Sequence, residues 1–190
     1  MCTSDLQEIP KIFYSYQTQS PFSECLVCSC YLLDNQTYVI EKALKKHPGY
    51  TAKDVIFDYA ICLTCSLKIR EQFSKNSLDK INAYFSKHIV ISPPSKKEVP
   101  INIDSYLDHC IVKKFPIAEI TDFQIYAYCH GNKLIQDIPP YLISQSAIEE
   151  IIPLVSNKTQ NILNDFYDRY FSPDPEMLLP QQPSDQLIFI

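Results

Sequence analysis

The sequence contains very little glycine and no tryptophan. Among 190 residues there are two glycines, Gly49 and Gly131, against fourteen prolines. Phosphate-binding loops need several closely spaced glycines, because the backbone itself must approach the phosphate. Neither a P-loop nor a dinucleotide fingerprint can be formed with two isolated glycines, so the nucleotide-binding classes that depend on such loops are excluded.

Long apolar segments are also missing. No stretch holds eighteen consecutive apolar residues, and the first ten residues, MCTSDLQEIP, lack the basic and apolar parts of a signal peptide. We therefore expect a cytoplasmic protein that does not contact a membrane. In a reducing compartment, eight cysteines are more often metal ligands or reactive thiols than disulfides.

Positive charge is scarce, above all in the second half. Residues 1–91 carry ten Lys or Arg against nine Asp or Glu, whereas residues 92–190 carry seven against thirteen. Because nonspecific nucleic-acid binding normally needs a basic face, we expect at most weak binding by the front half. It would require these side chains to gather on one face: Lys42, Lys45, Lys46, Lys53, Lys68 and Arg70.

Cysteine, in contrast, is abundant and clustered. Cys25 and Cys28 are separated by two residues, and Cys62 and Cys65 repeat this spacing later in the chain. Zinc prefers a tetrahedron of thiolates, and a two-residue gap lets one turn direct both sulfurs at one ion. We predict one structural Zn²⁺ per chain bound by these four cysteines. Cys30 is then a small buried side chain outside the zinc shell; an exchange ligand or a redox-sensitive thiol is the alternative.

The segments between and after the two pairs indicate their secondary structure. Residues 38–44 and 55–61 are rich in β-branched and aromatic side chains, which predicts a hairpin with a long loop. After Cys62 the apolar residues recur at helical spacing, with a break predicted at residues 75–77. The second pair would then open a helix, where free N–H groups and the helix dipole favour thiolates.

This order of turn, hairpin and helix, with a cysteine pair at each end, resembles the treble-clef class of zinc fingers over about residues 22–90. The resemblance implies a fold and not an activity, since treble clefs serve in ribosomal proteins, nucleases and interaction modules. A zinc ribbon is the alternative, but its turns typically contain glycine. Nucleases of the HNH type have similar cysteine spacing, yet only His47 lies between the pairs here, so their catalytic pair is missing.

Residues 92–100, SPPSKKEVP, form the best boundary in the chain. They predict a linker between a zinc module, residues 1–91, and a second unit, residues 101–190. The second unit weakly repeats the first: CLV at 25–27 returns as CIV at 110–112, and YAIC at 59–62 as YAYC at 126–129. If the repeat is real, the second unit holds a related hairpin that has lost one cysteine of each pair.

A second candidate site consists of His109, Cys110, Cys129 and His130. A metal with an open position, or a reactive thiol, would make the protein an enzyme. The alternative is that the two cysteines are buried while the adjacent histidines point away, because neighbouring strand residues alternate in direction. We favour this alternative, since neighbouring ligands do not fit the usual spacing of metal sites.

The rest of the second unit predicts a hairpin and two helices. Residues 123–130 alternate, and Gly131-Asn132 suits a tight turn into residues 133–135. Ser146 and Glu149 form a capping box for a short helix that stops at Pro153, and Ser156 caps a longer helix with an apolar stripe. The C-terminal run, residues 187–190, could add a strand to this sheet or join a second copy in a homodimer.

Together these patterns predict an α+β protein: a treble-clef-like zinc module with knuckle, β-hairpin and helix, then a small antiparallel sheet and C-terminal helices. We predict a binding or regulatory module whose zinc is structural and whose partner is another protein. An enzyme that uses Cys110, Cys129 and His130, and weak nucleic-acid binding by the zinc module, are the two alternatives.

Overall fold

The computed structural model describes residues 7–50, 52–89 and 102–172. The predicted linker and the C-terminal run at 187–190 lie outside these residues. Within them the fold is α+β, with an open antiparallel sheet and helices at the C-terminal end, as predicted. Its elements are β1 Thr37–Lys46, β2 Lys53–Cys62, α1 Leu63–Arg70, α2 Lys75–His88, α3 Ile103–Leu107, β3 Asp122–His130, β4 Lys133–Leu134, β5 Tyr141–Ser144, α4 Gln145–Ile151 and α5 Asn157–Phe171.

The sheet has five strands in the order β2-β1-β3-β4, and β5 also pairs with β3. Strands β1 and β2 form the first predicted hairpin, and β3 and β4 form the second. Strand β1 pairs antiparallel with β3 from Thr37 opposite His130 to Lys45 opposite Asp122. One sheet therefore includes strands from both sides of residues 92–100, and the division of the chain into two units stays a prediction.

A row of four side chains crosses the middle of the sheet. Tyr59 lies opposite Glu41, Glu41 opposite Tyr126, and Tyr126 opposite Tyr141. Glu41 is 1% exposed, and its Oε2 accepts a hydrogen bond of 2.6 Å from the Tyr59 hydroxyl. Burial, reinforced by the neighbouring Glu41, raises the pKa of Tyr59 well above its usual value. Tyr59 therefore keeps its proton and supplies the donor that a buried carboxylate requires.

Helix α5 covers this face with aromatic side chains. The Phe166 ring lies 5.8 Å from that of Tyr59, and the Phe171 ring lies 5.1 Å from that of Phe57. The helix begins after Ser156, whose hydroxyl accepts from the N–H of Thr159, as the sequence predicts. The apolar stripe of α5 is thus core packing, worth roughly 1.5–3 kcal/mol for each fully buried large side chain.

Two predicted helix boundaries are wrong. The break after α1 falls between Arg70 and Lys75, because Ser74 caps α2 by accepting from the N–H of Ser77. Helix α4 begins one residue after the last strand, with Ser144 at the N-cap position and no side-chain cap, so Ser146 lies inside its first turn. Because β5 leads directly into α4, the helix begins before the capping box predicted at Ser146. The predicted stop at Pro153 is correct, since a short 3₁₀ turn, Ile152–Leu154, follows α4.

Candidate metal centre

The first cysteine pair lies in a tight reversal of the chain at residues 24–31, which we call the front turn. Glu24 and Tyr31 form an isolated antiparallel bridge, and the N–H of Cys25 donates to the carbonyl of Cys30 at 3.0 Å. The N–H of Ser29 donates back to the carbonyl of Cys25 at 2.8 Å, and Ser29 has a φ of 55°. The turn requires this left-handed residue, a conformation in which glycine is the usual choice.

The second pair is brought to the front turn by β2 and α1. The N–H of Leu26 donates to the carbonyl of Ala60 at 2.9 Å, which fixes the turn to the edge of the sheet. Cys62 ends β2, and its N–H donates to the Cys25 sulfur at 3.3 Å. Cys65 lies in the first turn of α1, so the second pair opens a helix as predicted.

The sulfurs form a compact cluster. Those of Cys25, Cys28, Cys30 and Cys62 all lie within 4.8 Å of one another, and the Cys28 and Cys62 sulfurs are 3.8 Å apart. Sulfurs at the corners of a tetrahedron around zinc, about 2.3 Å from the ion, are separated by about 3.8 Å. Cys65 does not contribute one of these four sulfurs, but burial raises its pKa, and the thiols of Cys62 and Cys28 lie near enough to raise it further.

The expectation that Cys30 is a buried side chain is wrong. Cys30 is partly exposed, and its sulfur belongs to the cluster. The reason is the pairing across the front turn: Cys25 donates to the carbonyl of Cys30. Side chains of directly paired residues lie on the same side of a hairpin. The four sulfurs that lie within 4.8 Å of one another therefore include that of Cys30 and not that of Cys65.

The surroundings of the thiols differ. The N–H of Cys30 lowers the pKa of the exposed Cys28 thiol to about 6. Burial raises the pKa of Cys25, against which the N–H groups of Cys62, Cys28 and Val27 act. Burial also raises the pKa of Cys30 to about 12 and raises that of Cys65. A coordinating thiol is deprotonated by the metal itself, so the raised pKa values do not prevent this cluster from holding a metal ion.

The second candidate site does not form. In the described residues, one group of three or more His, Cys, Asp or Glu side chains is close enough to hold an ion, and it contains none of this site's residues. Cys110 and Cys129 are fully buried, and burial raises the pKa of Cys129 to about 12. The histidines contact other groups: His109 contacts Asp108, and His130 bonds to Thr37 at 2.9 Å.

Four of the six basic side chains that nucleic-acid binding would need make contacts within the fold. Lys42 lies 3.3 Å from Asp58 and Lys45 lies 3.7 Å from Asp122. The Lys46 ammonium donates to the carbonyl of Ile117, and Lys53 lies 5.6 Å from the centre of the Phe123 ring. Lys42 is buried, so these four groups do not form one exposed basic face.

Comparisons of the chain with protein-family models, curated proteins and solved structures found no match. The fold and the site define an α+β protein with a cysteine cluster that could hold a metal ion. No helix in the part of the chain that the structure describes has the length and apolar character needed to cross a membrane.

Proposed function

We propose that the chain binds one structural Zn²⁺ through Cys25, Cys28, Cys62 and Cys65. The front turn, the β1–β2 hairpin and α1 would together form a treble clef. The observation that supports this proposal is that the sulfurs of Cys25 and Cys28 from the turn lie within 4.8 Å of that of Cys62, three residues before Cys65 in the first turn of α1. A tetrahedral set of four thiolates selects zinc or iron, and zinc is the usual ion of such structural sites.

Cys65 is preferred to Cys30 as the fourth ligand because of spacing. A two-residue gap places Cys62 and Cys65 on one side of the helix start, as it places Cys25 and Cys28 on one side of the turn. Only one residue separates Cys28 from Cys30. Cys30 would therefore stay next to the ion without binding it, and its N–H would support the thiolate of Cys28.

A closed shell of four thiolates leaves no open position for a substrate, so the ion would hold the fold together and the protein would act by binding. We propose that its partner is another protein. Leu63 and Leu67, one helical turn apart on α1, are 38% and 49% exposed, and Tyr31, at the end of the front turn, is 53% exposed. Exposed apolar side chains suit a protein partner better than a nucleic acid.

The cytoplasm is the compartment that suits this proposal. All seven cysteines of the described residues are free thiols. A reducing environment keeps thiols available for a metal, whereas an oxidising one favours disulfides. The function we propose is thus that of a cytoplasmic binding or regulatory module stabilised by zinc.

Elemental analysis of the purified full chain tests the metal. We expect one zinc per chain, lost in Cys25→Ser and Cys62→Ser and retained in Cys110→Ser and Cys129→Ser. A folded chain without metal would refute the proposal. A metal that is lost on changing Cys110 or Cys129 would favour the enzyme.

Binding to mixed-sequence DNA and RNA at increasing salt tests the nucleic-acid alternative. We expect no retention at any salt concentration. Retention that falls steeply with salt would show phosphate binding and would contradict a purely protein-binding role.

A further inference from the structure

Residues 109–116, which we call the back turn, repeat the hydrogen bonds of the front turn. His109 and Pro116 form an isolated antiparallel bridge, as Glu24 and Tyr31 do. The N–H of Cys110 donates to the carbonyl of Phe115 at 2.9 Å, and the N–H of Lys114 donates to the carbonyl of Cys110 at 2.8 Å. Lys114 has a φ of 61°, close to the 55° of Ser29. Every one of these residues lies 85 positions after its counterpart in the front turn.

The back turn also joins the sheet as the front turn does. The N–H of Ile111 donates to the carbonyl of Leu142 at 2.8 Å, as that of Leu26 does to Ala60. The N–H of Ser144 donates to the Cys110 sulfur at 3.3 Å, as that of Cys62 does to the Cys25 sulfur at 3.3 Å. Ser144 ends β5 and is followed at once by α4, just as Cys62 ends β2 before α1. The counterparts on β2 and β5 are 82 positions apart.

The pairing of β1 with β3 is symmetric about one residue pair at the centre of the sheet, so that a two-fold rotation relates the two halves. Counterparts on β1 and β3 differ by 85, and Glu41 lies opposite its own counterpart Tyr126. The flanking residues Tyr59 and Tyr141 differ by 82, like the other counterparts on β2 and β5. The four-residue row across the sheet is therefore symmetric about its midpoint.

The starts of α2 and α5 obey the same relation. Their cap residues, Ser74 and Ser156, differ by 82, and the two hydroxyl oxygens are 2.9 Å apart. The bonds between the caps are reciprocal. The N–H of Ser74 donates to Thr159 Oγ1 at 3.0 Å, and the N–H of Ser156 donates to Ser77 Oγ at 2.8 Å.

We propose that the chain consists of two copies of one structural unit, residues 24–88 and 109–170, and that the second copy contains a metal site whose ligands have been replaced. The positions of the four proposed zinc ligands are occupied there, in order, by Cys110, Lys113, Ser144 and Ala147. The ligand set used for this assignment rests on the proposed function, whereas the two-fold relation rests on the hydrogen bonds alone.

Polar contacts take the place of a metal at the back site. The Ser144 hydroxyl donates to the Cys110 sulfur at 3.3 Å, and the N–H of Lys113 donates to the same sulfur at 3.3 Å. The Lys113 ammonium is directed outward to Glu150. Cys110 and Ala147 are fully buried. The backbone of the turn is thus kept, while its side chains satisfy one another without an ion.

This assignment also corrects the repeat that the sequence suggests. The match of YAIC with YAYC makes Cys129 the counterpart of Cys62. In the structure the counterpart of Cys62 is Ser144, because the strand that receives the back turn is β5 and not β3. Cys129 instead lies opposite Tyr38 and Leu134 in the middle of the sheet.

The test is to restore the missing ligands in the full chain. The variant Lys113→Cys/Ser144→Cys/Ala147→Cys should bind one more Co²⁺ than the unsubstituted chain, with a second set of tetrahedral thiolate absorption bands. The matched control is Lys113→Cys/Asn132→Cys. It creates two C-x2-C pairs around Cys110 and Cys129, as the sequence repeat would require, and should bind no additional Co²⁺. No extra ion in the folded triple variant, or an extra ion in the control, would overturn the proposal.

Since Ala147 is fully buried, a thiol there could impair folding. The variant Lys113→Cys/Ser144→Cys avoids that position and leaves three sulfurs at the site. It should bind an additional Cd²⁺ with a sulfur-to-metal absorption band, and a folded variant without the band would refute the two-fold assignment. Bound metal is counted relative to the unsubstituted chain. The result can therefore be interpreted even if the front site binds no zinc.

Discussion

The front turn and the back turn follow the same backbone path but are stabilised by different chemistry. At the front turn the sulfurs of Cys25, Cys28, Cys30 and Cys62 form a cluster, and burial raises the pKa of Cys25 and of Cys30. In the back turn a single buried sulfur accepts hydrogen bonds from Ser144 and Lys113. The comparison teaches that this backbone reversal does not itself require a metal. A need for a metal would come from the side chains gathered around it.

The difference has an energetic consequence. Thiols are weak hydrogen-bond donors, so a cluster of them cannot satisfy itself as the serine and the lysine of the back turn do. In proteins with structural zinc, the free energy of metal binding is part of the free energy of folding. The front half should therefore depend on its ion, and the back half should not.

The largest expected effect comes from changing the counterparts Cys62 and Ser144. Cys62→Ser should abolish zinc binding and lower the free energy of unfolding by about 4 kcal/mol at an ion concentration 1,000 times Kd. Ser144→Ala should retain the metal and cost about 1 kcal/mol, the value of one modest hydrogen bond. Zinc analysis and urea unfolding measure both. Equal losses would contradict the contrast between the two turns.

Within the front site, Cys65 and Cys30 should behave differently. Cys65→Ser should lower zinc affinity as severely as Cys62→Ser, because it opens the tetrahedral shell. Cys30→Ser should keep one zinc and change the free energy of unfolding by less than about 1 kcal/mol. Competition with a chromogenic chelator measures the affinities. If Cys30→Ser released the ion and Cys65→Ser did not, the fourth ligand would be Cys30.

An intermediate loss of stability is expected at the contacts between the starts of α2 and α5, where the two halves are alike. Ser77 and Thr159 are both fully buried and bonded to each other at 3.1 Å, and each accepts from the cap N–H of the other half. Ser77→Ala and Thr159→Val should each cost about 1–3 kcal/mol by leaving that N–H unpaired. Because the two sites are in contact, the double variant should cost less than the sum. Thermal melts of the zinc-loaded chain measure this, and clearly unequal single losses would weaken the two-fold assignment.

The smallest effect concerns the left-handed residues of the two turns. Ser29 and Lys114 both have positive φ, which costs a non-glycine residue roughly 1 kcal/mol or more. Ser29→Gly and Lys114→Gly should each raise the free energy of unfolding by up to about 1 kcal/mol, less the added entropy of glycine in the unfolded chain. Urea unfolding at constant zinc measures it. Gly131→Ala is the opposite control: its Cβ would lie 2.3 Å from the carbonyl oxygen of Asp34, so it should destabilise.

Much of the architecture could be predicted from local pattern. The alternation in residues 55–61 predicted β2, the helical spacing after Cys62 predicted α1, and Ser156 predicted the start of α5. These succeed because strand and helix periodicity are properties of a few neighbouring residues. The predicted helix break was wrong because Ser74 caps α2. The predicted cap at Ser146 was wrong because α4 begins directly after the sheet strand that ends at Ser144.

The sequence predicted that Cys25, Cys28 and Cys62 come together, but not that Cys30 joins them. Matched spacing identified Cys25, Cys28, Cys62 and Cys65, and the same argument left Cys30 outside. Spacing along the chain says which ligands one turn can present together, but it does not say which side of the turn a paired residue occupies. That was fixed by the bond between Cys25 and Cys30.

The sequence by itself determined the cysteine spacing, the two hairpins and the amphipathic helices, because each depends on side chains only a few positions apart. Only the tertiary structure decided that β1 pairs with β3, that Ser144 is the counterpart of Cys62, and that Glu41 is buried between two tyrosines. Those relations join residues far apart in the chain. Strand register is set by the packing of a whole face of the sheet. A structural repeat can be kept by backbone hydrogen bonds, which need almost no shared side chains.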